Sequence, residues 1–304
     1  IKDALKLREN GITGQILLLT PTNQAEEALL IIKNKIIATV GSRSSALVLN
    51  NAASSLKETA SFHLKIDTGL GRFGFLPREI PDVCSFLKTL NNIQITGTYS
   101  HFSFSFSKKT KAVYKQYVTF INAVEKIRQK GLDPGMCHIC NSSAFLLFPQ
   151  MHLDAVRIGS AFLGRLLVKN ICNLEKIGYL KSRIIELKEL PKNHNIGYAN
   201  TYRTKRPVKI GIVPVGYMDG FGLRKRRDSF RFSDILSYIW RDLRLLKKKE
   251  LVFINGKHAR ILGRININNI VVDITGIGAN IGDEVILANI NPLLVGSHVE
   301  REYI

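Results

Sequence analysis

From residue 1 to about 170 the chain alternates short apolar runs with amphipathic segments. This alternation restricts the fold more than any other feature. The runs are residues 15–19, 36–40, 62–66, 95–100, 136–140 and 155–158. The segments between them, such as 114–131, have helical spacing and end on glycine, as helices commonly do. Apolar strands joined by helices argue for a parallel sheet, open or closed into a barrel. Six runs are present, whereas a closed (β/α) barrel uses eight, so two strands are unaccounted for. After about residue 180 the texture changes. Residues 208–215, 251–254, 259–263, 270–274 and 284–288 read as short strands separated by Gly, Asn and Asp turns. The expected organisation is therefore a parallel α/β sheet, open or closed into a barrel, over residues 1–178. A small all-β domain follows over 179–304. One amphipathic stretch, 233–249, predicts a helix inserted among the β strands.

At 304 residues and 45% hydrophobic, the chain can bury a large core. No apolar run is long enough to span a bilayer, and the start lacks a signal-peptide pattern, so no membrane partner is expected. Four cysteines do not make a disulfide framework in a chain of this length, which fits a reducing cytoplasm. Cys137 and Cys140 are spaced C-x-x-C, but no second pair completes a metal site. They read as two small strand residues, with a redox pair as the alternative. The formal net charge of +20 raises a nucleic-acid reading. Its local sources are Arg224-Lys225-Arg226-Arg227 and Lys247-Lys248-Lys249, and no RNA- or DNA-binding motif accompanies them, so no specific nucleic-acid partner is expected.

Polar residues cluster where the strands end, and functional residues of such barrels lie at the C-terminal ends of strands. Lys65, Asp67 and Arg72 lie on or just past one run, in a stretch that passes into a glycine-rich turn. Charges in a buried strand are costly unless paired or used. His101 follows the next run, Asn141, Ser142 and Ser143 follow another, and Arg157 and Gly159 end the last. Ser142, Gly159 and Ser160 can offer N–H groups and hydroxyls to a phosphate.

These motifs resemble, in order and over nearly the whole chain, those of the alanine racemase family. The family's K-I-D-T-G-x-x-R matches Lys65 to Arg72, its H-F matches His101, and its H-x-x-N-S matches His138, Asn141 and Ser142. Its R-x-G matches Arg157 and Gly159. Its G-Y-x-x-T-Y matches Gly197 to Tyr202, its G-Y-x-D-G matches Gly216 to Gly220, and its terminal R-x-Y matches Arg301 to Tyr303. The resemblance implies pyridoxal phosphate as cofactor and racemisation of L- and D-alanine, supplying D-alanine for peptidoglycan. It implies a cytoplasmic homodimer in which Tyr198 serves as a base in the partner's barrel. Arg72 would hold the substrate carboxylate, with Ile267 and Tyr217 beside the substrate, and Lys65 is the lysine often carbamylated. Ser142, Gly159, Ser160 and Tyr303 would hold the cofactor phosphate, Arg157 would face the pyridine nitrogen, and His138 belongs to the cofactor-binding set. A tyrosine is a poor base at neutral pH, and His101 and Arg72 are the cations expected to favour its phenolate.

Three departures qualify the match. The family's cofactor-linked lysine lies in a K-A-x-A-Y-G motif that is absent from this sequence. The resemblance implies an α/β barrel of the TIM type whose first two strands are missing here, and with the first methionine at Met136 this reads as N-terminal truncation and predicts an inactive fragment. Ile267-Asn268 replaces the usual M-D, and the segment between residues 221 and 250 is longer than the family norm. Racemisation of serine or another amino acid, or an inactive interaction module, are the alternatives.

Overall fold

A computed structural model describes residues 1–106, 110–223, 230–245, 251–287 and 290–302. Two compact units divide between Glu175 and Lys176; the sequence placed the boundary three residues later.

In the first unit the described helices are α1 (Lys2–Glu9), α2 (Ala25–Lys33), α3 (Arg43–Leu56), α4 (Ile80–Leu87), α5 (Thr110–Gln129) and α6 (Ser142–Leu147). They alternate with β1 (Ala38–Val40), β2 (Ala60–Lys65), β3 (Ile93–Tyr99) and β4 (Met136–His138). The four strands pair in sequence order, all parallel. Single parallel bridges, Leu17 to Ile37 and His138 to Ala155, extend the sheet at both ends. All six expected positions are thus occupied, but the first and last carry one bridge each rather than a full strand.

The helices form for legible reasons. Ser42 caps α3, its side chain accepting from Ser45 N–H while the Ser45 hydroxyl accepts from Ser42 N–H. Helix α5 buries Val113, Gln116, Phe120, Ala123, Val124 and Ile127, the three- and four-residue spacing of one helical face. Gly131, at φ 70°, follows its end. These faces close on strand residues such as Phe62, Leu64 and Ile66 to make a continuous core.

The second unit adds β5 (Leu180–Arg183), β6 (Glu186–Leu190), β7 (Asn195–Ile196), β8 (Tyr202–Arg203), β9 (Val208–Val213), α7 (Phe232–Leu245), β10 (Leu251–Ile254), β11 (Lys257–Leu262), β12 (Ile270–Asp273) and β13 (Glu284–Leu287). Seven strands form one antiparallel sheet in the order β5-β13-β10-β11-β12-β9-β6, and β7 pairs with β8. The two edge strands follow one another in the chain, joined only by Ile184 and Ile185. Ile184 N–H reaches Asp283 O on one side and Ile185 N–H reaches Ile212 O on the other. The sheet therefore curls until its edges approach, which limits exposed strand edge. Val252, Ile254, Val272 and Val285 fill its interior. The expected helix at 233–249 is α7; residues 246–250, the basic run 224–227 and Ala288 lie outside the described residues.

Candidate active site

Register places the barrel-side residues. Lys65 on β2 pairs with Tyr99 on β3, Tyr99 with His138 on β4, and His138 with Ala155. One transverse row thus carries Lys65, Tyr99 and His138. The row below carries Thr39, His63 and Gly97. Tyr99 and His138 stack at 4.9 Å with planes 2° apart. Lys65 Nζ lies 4.2 Å from the centroid of the Tyr99 ring, and the phenol oxygen is within 2.9 Å of Thr39 Oγ1.

Arg157 is the hub of this wall. It donates to His138 Nδ1, to His101 Nδ1 at 3.2 Å, and to the Ser100 carbonyl at 2.7 Å. It also donates to the carbonyls of His138 and Ile139. A guanidinium only donates, so both histidines accept at Nδ1 and carry their proton on Nε2. His138 Nε2–H then donates to His63 Nδ1 at 2.9 Å. The order of protons from Arg157 through His138 to His63 is fixed by chemistry.

The partners of Arg157 are all uncharged at neutral pH. Burial, with Arg157 next, pushes His63 and His101 down to about 4 and His138 to about 3. Burial, then Arg157 and Arg72, brings Lys65 down to about 7. His101 is therefore neutral, which corrects its expected role as a cation: it is an N–H donor. His138, 2% exposed, braces Arg157 and Tyr99. Among the described acids Asp67 acts on this group, but its carboxylate is committed to the backbone. It accepts from the N–H groups of Gly69, Leu70 and Gly71, and these bonds outweigh desolvation to hold its pKa below the usual carboxylate range.

That carboxylate shapes the loop presenting Arg72. The loop returns to the strand through Asp67 N–H to Phe75 O at 2.9 Å and Phe75 N–H to Lys65 O at 3.0 Å. Gly74, at φ 114°, is required there: a Cβ would lie 2.8 Å from Asp67 N. Gln116 ties this loop to the next, accepting from Ser103 and donating to Thr68 Oγ1.

An anion cup lies beyond the wall. Ser142 Oγ accepts from Gly159 N–H at 2.9 Å and Ala161 N–H at 3.3 Å, so two backbone donors converge on one oxygen. Asn141 caps the turn behind it, accepting from Ala144 N–H. Ser160 opens the next turn, which closes through Arg165 N–H to Ser160 O at 2.9 Å. Arg165 Nε and Nη2 are buried without a partner among the described residues. Convergent N–H donors, hydroxyls, unmet guanidinium donors and a wall short of negative charge suit an anionic ligand with a phosphate. Cys137 and Cys140 instead contact the Gly135 and Met151 carbonyls and are both free. Burial pushes both thiols up to about 11, opposite to what a redox pair needs.

In the second unit, three expected loops meet. Tyr217 N–H donates to Asn266 O at 3.1 Å and Met218 N–H to Ile267 O at 3.0 Å. A Cβ on Gly216 would lie 2.2 Å from Asn266 O, so only glycine lets the loops of this junction approach. Gly197 packs toward Arg264, and Gly263 packs against Ile196. Tyr217 and Ile267 are thus brought together. Tyr198, in a short turn after Gly197, is 75% exposed. Tyr303 lies outside the described residues.

The sequence reading assigned no role to His63 or Tyr99. Their signal was available: His63 and Lys65 share a strand face by two-residue alternation, and Tyr99 directly precedes a named site segment.

Residues 1–166 match the family profile for the alanine racemase N-terminal domain and 177–298 that for its C-terminal domain. The chain is 31% identical over 292 residues to alanine racemase of Desulfovibrio desulfuricans, covering 94% of this chain and 72% of that one. It is 33% identical over 299 residues to the Clostridium perfringens enzyme, covering 94% and 70%. Among solved structures, alanine racemase of Clostridium difficile 630 superposes with a TM-score of 0.79 at 31% identity, covering 94% and 70%. The racemase of the D-cycloserine producer Streptomyces lavendulae gives 0.79 at 28%, covering 95% and 72%. With both domains matched and a barrel-type unit followed by a curled β unit, this chain belongs to the alanine racemase family.

Proposed function

We propose that the protein interconverts L- and D-alanine with pyridoxal phosphate. The observation that carries this reading is the half-buried Arg157, held by uncharged acceptors beside Lys65 and Arg72, in a wall that an anion balances. The phosphate fits the convergent N–H groups of Gly159 and Ala161 with the hydroxyls of Ser142 and Ser160; Tyr303 is a further contact by family resemblance. Pyridoxal phosphate, when bound, supplies the electron withdrawal that makes the substrate α-proton acidic.

The residues of this chain bind, orient and move the proton. Arg157 is donor-only, so a ring nitrogen facing it stays unprotonated, which weakens electron withdrawal and suppresses side reactions. Arg72 holds the substrate carboxylate, and Tyr217 and Ile267 shape the space around the substrate. Lys65, neutral in part near pH 7, can add carbon dioxide: its nitrogen bonds the carbon and releases a proton to solvent. The carbamate then carries negative charge beside Arg72. Tyr198, contributed by one subunit of a homodimer to the barrel of the other, takes the α-proton of one enantiomer. The Nε2–H of His101 donates to the phenolate oxygen that Tyr198 carries before it takes that proton. The second proton-transfer group is the lysine of the family's K-A-x-A-Y-G motif, which residues 1–304 do not contain. The free cysteines suit a reducing cytoplasm, and D-alanine suits peptidoglycan synthesis.

Chiral chromatography tests the reading on protein expressed from its full reading frame. Either alanine isomer should convert toward equal amounts, dependent on pyridoxal phosphate, and Arg157→Glu should abolish cofactor retention on dialysis. Bound cofactor with no conversion of either isomer refutes it.

A further inference from the structure

Helix α7 buries none of its described side chains. Phe232, Ile235, Leu236, Ile239, Trp240 and Leu243 recur at three- and four-residue spacing and line one face. Each exposes between 41% and 78% of its surface. Ser233, Ser237, Arg241 and Arg244 lie on the opposite side of the helix. A 14-residue helix is marginal in water without tertiary cover, and a contiguous apolar face of this kind marks an interaction surface.

Charge decides among the occupants. In sequence, α7 is bracketed by Arg224, Lys225, Arg226, Arg227 and Arg231 on one side and Lys247, Lys248 and Lys249 on the other, with Asp228 and Glu250 opposed, while within the helix Asp234 and Asp242 offset Arg241 and Arg244. A second copy would bring two such basic segments together in a chain of net charge +20. A nucleic acid would match the cations and leave the apolar face in water. An anionic lipid surface meets both: the apolar face sinks to the boundary of headgroups and acyl chains, and the flanks lie among anionic headgroups. Trp240, whose ring lies 3.5 Å from the Arg244 guanidinium, supplies an aromatic with a cation beside it, suited to the headgroup level.

We propose that α7 is a peripheral membrane anchor, lying in the plane of an anionic bilayer with its Phe232–Leu243 face inward. The sequence counted no membrane partner because no run spans a bilayer, and no described helix does. A helix lying in the interface has no need to cross it.

Trp240 is the only tryptophan in the chain, so its emission reports this face alone. The whole protein is mixed with vesicles of equimolar phosphatidylglycerol and phosphatidylcholine, or of phosphatidylcholine alone. Emission should shift to the blue and the protein should sediment with the anionic vesicles only, with binding weakened by added salt. Leu236→Glu combined with Leu243→Glu should abolish both signals, with a far-UV circular dichroism melt confirming the fold. Lys247→Gln, Lys248→Gln and Lys249→Gln together should lower partitioning about 100-fold, from about fivefold per surface cation. Three results would each overturn the proposal. They are unchanged emission with anionic vesicles, equal binding to both vesicle types, and a lipid-free dimer that the two glutamates dissolve. A shift on duplex DNA without one on vesicles would also do so.

Discussion

Gly97 lies on the central strand of the parallel sheet, and its hydrogen atom faces an imidazole. A Cβ built there would lie 2.5 Å from both His63 Cε1 and Nε2 and 2.7 Å from Cδ2. The ring cannot retreat without releasing its 2.9 Å bond to His138. Overpacking of this kind costs about 1–3 kcal/mol, and an orphaned buried donor on His138 adds about 1–3 kcal/mol. Gly97→Ala should therefore destabilise the first unit by about 2–6 kcal/mol. For a unit of this size that is a fall in Tm of roughly 4–24 °C. His63→Ala alone should cost a similar amount, by leaving a cavity and the same orphaned donor. In the double variant the clash has no partner, so the two costs should fall short of their sum by at least about 1.5 kcal/mol. Trp240 lies in the other unit, so its fluorescence is blind to this change. Far-UV circular dichroism and hydrogen exchange at β3 amides are the appropriate readouts. Additivity within about 0.5 kcal/mol would refute the claim that Gly97 exists to seat His63.

Acid should weaken the first unit early. His63, His101 and His138 have folded pKa values near 4, 4 and 3, below an unfolded value of about 6.5. Below pH 6.5 the unfolded chain takes up protons that the folded one refuses, so stability falls until the pH reaches the folded values. The slope is up to about 1.4 kcal/mol per pH unit for each histidine, and urea midpoints that do not change between pH 7 and 5 would contradict it. Lys65, near 7, should give a carbamate signal in carbon-13 NMR with labelled bicarbonate at neutral pH. Lys65→Arg should remove that signal, and its persistence would assign the carbamate elsewhere. In the complete enzyme, Tyr198→Phe should slow α-proton exchange of L-alanine by about 10²–10⁴-fold and leave exchange of D-alanine intact. Equal loss on both isomers would refute the one-sided role.

Most of the site was legible because its residues are tied to strand ends by short motifs, and strand ends are set by apolar runs. The arrangement of Lys65, Tyr99 and His138 in one row was not, because register between parallel strands depends on crossover helices rather than on the strands themselves. Strands β5 and β6 escaped notice for a different reason. They are the edges of their sheet, and edges carry charges such as Lys181, Arg183, Glu186 and Lys188 that blunt unwanted pairing, so the apolar signature of a strand is diluted. The first and last parallel positions shrank to bridges at Leu17 and Ala155, where apolar composition alone overstates strand length. The neutral state of His101 was also hidden, since it depends on burial first and then on Arg157, which lies 56 residues away in sequence.

A guanidinium lodged among carbonyls and imidazoles, with Lys65 close by, gives the site positive charge that an anion would balance. Any phosphate that occupies it relieves that charge only in the folded state. By mass action, ligand at 100 times its dissociation constant would add about 2.7 kcal/mol to stability. The supply of that ligand would then set how much of the protein survives in the cell as well as how much of it turns over, so scarcity of the ligand would lower abundance and activity together.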